Sequence, residues 1–390
     1  MFSQRTNWPL IRNRLTEALD QARARGGRIL DLTVSNPTRI ALQYDGARIL
    51  SALASPQSLD YDPQPCGLAS ARAAVAEYYL SAHNAALDPD RIILTTSTSE
   101  GYSFVFRLLC NPGDELLVPK PSYPLFEFLA DLQDVKLVPY PLLYDHGWQM
   151  DFHSLEKSIT SRTRGVVVVH PNNPTGSFVK LHEQESLNRV CRRHDLALIV
   201  DEVFLDYPTD SIPRQTFAVN QHALTFTLSG ISKISALPQM KAAWIVTSGP
   251  RDQVEAAESR LEVVADTFLS MNAPVQWALP SLLDQRKNIQ KQLLARVRAN
   301  MAELDRQLAG QKLCQRLEVE GGWYVVLRVP VTQSDEDLAV ELLQQQSVFV
   351  HPGHFYDFPG EGFLVLALIA PEQEFAEGVR RVLNRIRVQP

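Results

Sequence analysis

Three features of the sequence predict an α/β fold, with a large unit on a mostly parallel sheet flanked by helices and a smaller α+β unit. From about residue 68, short apolar runs recur between helix-length stretches. Strands that are apolar on both sides belong to sheets covered on both faces, the usual state of a parallel sheet. After residue 275 the pattern changes, and a long helical stretch gives way to mixed strands and helices. The length, 390 residues, accommodates two such units and a core that needs neither disulfides nor structural metal.

The elements follow in order. Leu10, Ile11, Leu15, Leu19 and Ala22 recur at helical spacing and predict a helix over 9–25, ended by Gly26 and Gly27. An extended run at 29–34 leads into the turn Ser35-Asn36-Pro37. A helix is expected over 68–82, a buried strand at 92–96, and a helix over 99–109 closed by Asn111-Pro112-Gly113. A strand at 115–118 and a helix over 121–130 come next. Apolar runs place further strands at 165–169, 197–203, 224–228 and 242–246. The last part reads as a helix over 275–308, strands at 317–319 and 323–327, a helix over 335–345, and strands at 348–350 and 363–369. Residues 1–44 are expected to form an N-terminal arm and part of the small domain, 45–274 the large domain, and 275–390 the small domain. No internal repeat or low-complexity tract interrupts this order.

Composition bounds the function. Apolar residues make up 45% and charged residues 21%, as in ordinary globular proteins. A net charge of −6 argues against general binding to nucleic acid or to an anionic membrane. Cys66, Cys110, Cys191 and Cys314 are scattered, with no C-x-x-C pair, so neither a metal site nor a disulfide framework is expected. Reduced thiols in a cytoplasm are the expected state. The start lacks the charged and apolar regions of a signal peptide, and no apolar run approaches the ~18 residues of a membrane span.

Five segments carry candidate chemistry. Thr96-Ser97-Thr98-Ser99-Glu100 follows a strand and opens a helix, where free N–H groups and the helix dipole suit a phosphate; the same residues also read as a capping box. In the segment 119–124, Tyr123 offers a flat face for a heterocycle, or a core aromatic after a proline turn. Pro171-Asn172-Asn173-Pro174-Thr175-Gly176 demands a rigid turn, yet a turn needs no second Asn. Asp201 ends an apolar strand, where a carboxylate is costly unless paired. It reads as a partner for a cation, a strand-end cap, or a metal aspartate of the ATPase kind, although no phosphate-loop motif accompanies it. Ser229-Gly230-Ile231-Ser232-Lys233 follows the strand at 224–228, with a second cation, Lys241, eight residues on. A lone loop lysine is usually a solvated charge.

In this order and spacing the five segments resemble the class I/II aminotransferases, fold-type I enzymes that use pyridoxal 5′-phosphate (PLP), over roughly residues 30–370. The resemblance implies that Lys233 carries PLP as a Schiff base and, once released, acts as general base. It implies that Asp201 pairs with the ring nitrogen, that Asn173 donates to the ring phenolate, and that Tyr123 stacks on the ring. Thr98, Ser99, Ser232 and Lys241 would hold the phosphate. Tyr61, in a segment similar to the family's Y-x-P-x-x-G with one extra residue, would reach the phosphate of a neighbouring subunit, implying a homodimer with shared sites. The implied reaction moves an amino group between an amino acid or small amine and a 2-oxo acid. The Gly-Ile-Ser-Lys form is closest to the alanine-aminotransferase style.

The chain also departs from the family pattern. Ser97 stands where Gly is usual and Lys241 where Arg is common. Phe204 replaces a Tyr that donates to the phenolate, so the Schiff base is expected to titrate at higher pH than in a Phe204→Tyr variant. Val365 occupies the position of the Arg that grips a substrate carboxylate, which leaves Arg39 and His354 as candidate substrate cations. Two other functions share these motifs: a PLP-dependent lyase or decarboxylase, and a non-catalytic PLP-binding protein. A nicotinamide dehydrogenase is disfavoured, because Gly360-Glu361-Gly362 precedes a strand and not a helix.

Overall fold

The computed structural model describes residues 1–387; the last three residues of the 275–390 stretch lie outside the described residues. The strands are β1 (Leu30–Asp31), β2 (Ile92–Thr95), β3 (Glu115–Lys120), β4 (Lys136–Tyr144), β5 (Trp148–Met150), β6 (Thr163–Val169) and β7 (Ala197–Asp201). They continue with β8 (Thr225–Gly230), β9 (Ala243–Ser248), β10 (Gln315–Arg316), β11 (Tyr324–Arg328), β12 (Val348–Phe349), β13 (His351–Pro352) and β14 (Phe363–Ala367).

Eight of these strands form one sheet in the order β2-β9-β8-β7-β6-β3-β4-β5. The stretch from β8 to β4 is parallel throughout, whereas β9 runs antiparallel to both β2 and β8, and β5 antiparallel to β4. Successive residues of β6 enter different cores: Val166 and Val168 one, Val167 and Val169 the other. The strand is therefore covered on both faces, which is why it reads as an uninterrupted valine run. Helices Thr98–Leu109 and Arg251–Phe268 supply one cover, through Tyr102, Phe106, Leu261 and Ala265; Leu181–His194 supplies the other, through Leu187 and Val190. Strands β6, β7 and β8 end on the same edge of the sheet, where α/β folds place their ligands.

The second sheet is antiparallel in the order β10-β11-β14-β13. Strand β1 pairs in parallel with β12, which ties the N-terminal residues to this part of the chain. Arg14 reaches Asp337 at 2.8 Å in the same region.

Five details differ from expectation, the first being that the strand expected at 317–319 lies at Gln315–Arg316 as β10, where it pairs with β11. The first helix runs Arg14–Ala24 and not from residue 9, because Asn13 caps it by accepting from the Thr16 amide at 2.7 Å; Leu10 and Ile11 are exposed. The stretch 275–308 is two helices, Ala273–Asp284 and Arg286–Leu308. At the break the buried Arg286 guanidinium donates to the Leu283 carbonyl at 3.1 Å, taking an acceptor that a continuous helix would use. Strands β4 and β5 are additions to the expected set: Pro139 and Pro141 interrupt the apolar run in β4, and β5 is only three residues long. The helix of the segment 121–130 begins only at Leu125, after Pro124.

Candidate active site

Strand β8 delivers Lys233. It ends at Gly230, where an added Cβ would lie 2.8 Å from both the Ala242 carbonyl and the Ala243 Cβ, so only glycine admits this approach of β9. The short turn Ile231–Ile234 follows. Its two isoleucines are buried as anchors, which turns Ser232 and Lys233 into a cavity of about 310 Å³. The Lys233 Nζ lies 5.3 Å from the Trp323 ring centroid and 5.7 Å from that of Phe204. Burial pulls its pKa below the ordinary lysine value, and only the charge of Asp201 opposes this.

Asp201 enters the same cavity from the end of β7. It accepts from Tyr102 Oη at 3.1 Å and from the Val203 amide at 3.0 Å. Neither donor is a cation. Burial pushes its carboxyl up to about 6, although both hydrogen bonds and Lys233 act in the opposite direction. The adjoining Glu202 is buried too, held by Thr216 Oγ1 and the Phe217 amide, each at 2.6 Å, and burial pushes it up to about 7.

The first turn of the helix Thr98–Leu109 faces the cavity with Thr98 and Ser99. Ser97 caps the helix through the Glu100 amide at 3.2 Å, and Glu100 reaches back to the Thr96 amide at 2.7 Å. This is a one-sided variant of the expected capping box, since Glu100 takes the amide before the cap and not that of Ser97, and it leaves the Thr98 and Ser99 amides without an intrahelical acceptor. Asn173 lines the cavity with its Oδ1 buried and unpartnered, while Asn172 holds the turn through Thr175 at 3.0 Å. Tyr123 forms another wall, its hydroxyl pKa raised by burial and by Asp201.

Seven of the expected residues thus converge: Lys233, Asp201, Asn173, Tyr123, Thr98, Ser99 and Ser232. Four do not line this cavity. Lys241 is exposed, because its backbone takes φ +55° at the end of the turn Pro238–Met240. Arg39 and His354 are exposed, and His354 lies edge-on to Phe355. Tyr61 is 84% exposed and lines a separate cavity of about 300 Å³ with Leu269, Met271 and Trp277. Val365 is buried in β14, with Val326 and His351 in register on either side.

Three hydroxyl-bearing residues of the cavity wall lie outside the expected set. Tyr102 stands one helical turn after Thr98, so the i, i+4 spacing could have revealed it. Ser35 and Tyr324 both stand on the cavity wall. Only the turn at Ser35 and the glycines before Tyr324 hint at this in the sequence.

The donor set fits PLP. A buried carboxylate hydrogen-bonded only by neutral donors matches a protonated ring nitrogen, and the side-chain N–H of Asn173, on the cavity wall, matches a ring oxygen that accepts. Unbonded helix amides match a phosphate, and a buried amine matches an aldehyde.

A family model described as aminotransferase class I and II matches residues 30–381. Alanine aminotransferase of Mycobacterium tuberculosis is 27% identical over 385 residues, covering 96% of this chain and 89% of that protein. Glutamate-pyruvate aminotransferase AlaA of Escherichia coli is 24% identical over 359 residues, covering 90% and 88%. Among solved structures, alanine aminotransferase from Pyrococcus furiosus superposes with a TM-score of 0.89 at 21% identity, over 100% of both chains.

Proposed function

The chain belongs to the class I and II aminotransferase family, and from that premise we propose that it binds PLP through Lys233 and transfers the amino group of L-alanine to a 2-oxo acid. The observation that carries this reading is the meeting of Lys233, Asp201 and Asn173 in one cavity. The choice of alanine rests on the names of the curated relatives, an alanine and a glutamate-pyruvate aminotransferase.

When bound, PLP supplies an electron sink for the substrate Cα and a temporary carrier for the amino group. In this reading the Lys233 Nζ holds the aldehyde carbon, and afterwards moves a proton at the substrate Cα. A lysine whose pKa burial lowers is neutral over more of the physiological range, as a base must be. Asp201 holds a proton on the ring nitrogen, and Tyr102 fixes the carboxylate in place. Asn173 orients the ring through its amide, and Tyr123 covers one face. Thr98, Ser99 and Ser232 would hold the phosphate, and the exposed Lys241 would add its charge only by turning toward it. Phe204 and Trp323 exclude water around the Lys233 Nζ.

We also propose that the working form is a homodimer. The exposed Tyr61, beside apolar Leu269 and Trp277, would serve the site of a second copy. The pairing of β1 with β12 supports grouping residues 1–44 with 275–390 as a small domain beside a large one at 45–274. Four unpaired cysteines fit a reducing cytoplasm. Among the described residues no helix is long and apolar enough to cross a membrane, and no group of His, Cys, Asp or Glu could hold a metal ion.

The test is direct. Loaded protein is mixed with L-alanine and 2-oxoglutarate, and pyruvate and glutamate are measured. Equal formation of both, abolished in Lys233→Ala, is expected. Pyruvate with free ammonia and no glutamate would contradict it.

A further inference from the structure

The turn that bears Lys233 is gripped from outside by side chains. Tyr207 Oη donates to the Lys233 carbonyl at 2.6 Å, Gln290 Nε2 to the Ile234 carbonyl at 3.0 Å, and Tyr44 Oη to the Ala236 carbonyl at 2.8 Å. These donors come from three distant places: the segment after β7, the helix Arg286–Leu308, and the N-terminal region. A turn of four residues has too few hydrogen bonds of its own to fix a side chain this closely.

Behind Gln290 stands a buried cluster. Its Nε2 also donates to Asp206 at 2.6 Å. Asp206 further accepts from Tyr78 Oη, at 3.1 Å to either oxygen, and pairs with His83 Nε2 at 2.9 Å. The His83 and Asp206 side chains are 9% and 6% exposed. Arg286 lies over the Tyr78 ring and closes the cluster at the helix break. Farther along the same helix, Asn300 donates to the Leu368 and Ala370 carbonyls at 2.8 Å, which ties it to the residues after β14.

No atom of Asp206 or Gln290 lines the cavity. A buried ion pair is a poor source of stability, because desolvation offsets most of the attraction. Its geometric effect is plain: Asp206 aims the Gln290 amide at the carbonyl next to Lys233, while its neighbour Tyr207 takes the carbonyl of Lys233 itself. We propose that Asp206 and Gln290 are positioning residues that, with Tyr207, set the direction of the Lys233 amine, and that they link it to the helix bearing the C-terminal part of the chain. The inference rests on the reading of Lys233 as the cofactor lysine.

The experiment uses protein stripped of cofactor and then given PLP. The rate of covalent capture is followed by absorbance, and the labelled lysine is found by borohydride reduction and peptide mass analysis. Gln290→Ala and Asp206→Asn should slow capture at Lys233 at least about tenfold, since small misplacement of a reacting group costs that much or more. Asn300→Ala, which removes a buried amide clamp from the same helix, should lower thermal stability yet capture PLP at the parental rate. Tyr207→Phe, which keeps the ring, should slow capture even if Asp206→Asn does not fold. Parental capture rates in Gln290→Ala and Tyr207→Phe would overturn the inference while leaving the Lys233 reading intact. Slowing in Asn300→Ala equal to that in Gln290→Ala would also overturn it, because loss of stability alone would then explain the effect. Label on another lysine would overturn both.

Discussion

Replacing Asp201 by Asn should stabilise the cofactor-free protein at high pH while weakening its hold on PLP. The Asp201 carboxyl is buried, and the donors that contact it are neutral. Burial raises it from an ordinary 3.8 to about 6. An acid whose folded value exceeds its unfolded value stabilises the fold fully below the unfolded value, and loses that contribution as pH rises through the folded one. The loss here therefore falls between about pH 4 and pH 6, and it amounts to about 3 kcal/mol at 1.36 kcal/mol per pH unit. Asn keeps an oxygen for Tyr102 and Val203 and carries no charge. Denaturant unfolding of both cofactor-free proteins at pH 4 and pH 8 measures the difference. Asp201→Asn should gain up to about 3 kcal/mol at pH 8 relative to the parent and little at pH 4. Relief of the neighbouring Glu202, itself raised to about 7, acts in the same direction. Equal stability at both pH values, or a parent that is more stable at pH 8, would refute the claim that this carboxylate stands unpaired until a cationic ligand arrives.

Three other predictions follow from single contacts. Phe204 faces the cavity close to Lys233, so Phe204→Tyr adds a donor, and the pH midpoint of the visible band of the loaded protein should fall by about one unit; a spectral titration with an equal or higher midpoint would reject it. Val365 is 1% exposed, so Val365→Arg should bury an unpaired charge and cost about 3 kcal/mol or more in denaturant unfolding, without tightening alanine binding; an improved KM for alanine at parental stability would show that the position opens onto the site. In Gly230→Ala the new Cβ presses on the β9 backbone, and the loss should appear as weaker PLP uptake in an absorbance titration; parental uptake would show that the strand pair yields.

Much of the site was legible because it is built from local pieces. Lys233, Asp201, Asn173 and Thr98 each sit at the end of an apolar strand or just beyond it, and the alternation of strands and helices brings those ends to one edge. What escaped depends on where side chains turn after the backbone is placed. Lys241 has the expected spacing from Lys233, but it lies exposed at a left-handed turn residue and does not line the cavity. Leu10 and Ile11 fit the helical period of the first helix, yet Asn13 caps it after them, and they stay outside. Asp206 and Gln290 carry no local signal, since their burial arises from helix packing far along the chain. The break at Gln285 was hidden for a related reason: the carbonyl that ends the first helix is claimed by Arg286, whose burial under Tyr78 is a tertiary fact.

The central claim is a covalent one: the ε-amine of Lys233 is the group that takes the cofactor. Loaded protein reduced with borohydride, digested and analysed by mass should yield one pyridoxyl-labelled peptide, with the label on Lys233 and none in Lys233→Ala. A label on Lys241 or any other lysine, or a protein that takes up no PLP, would contradict the account.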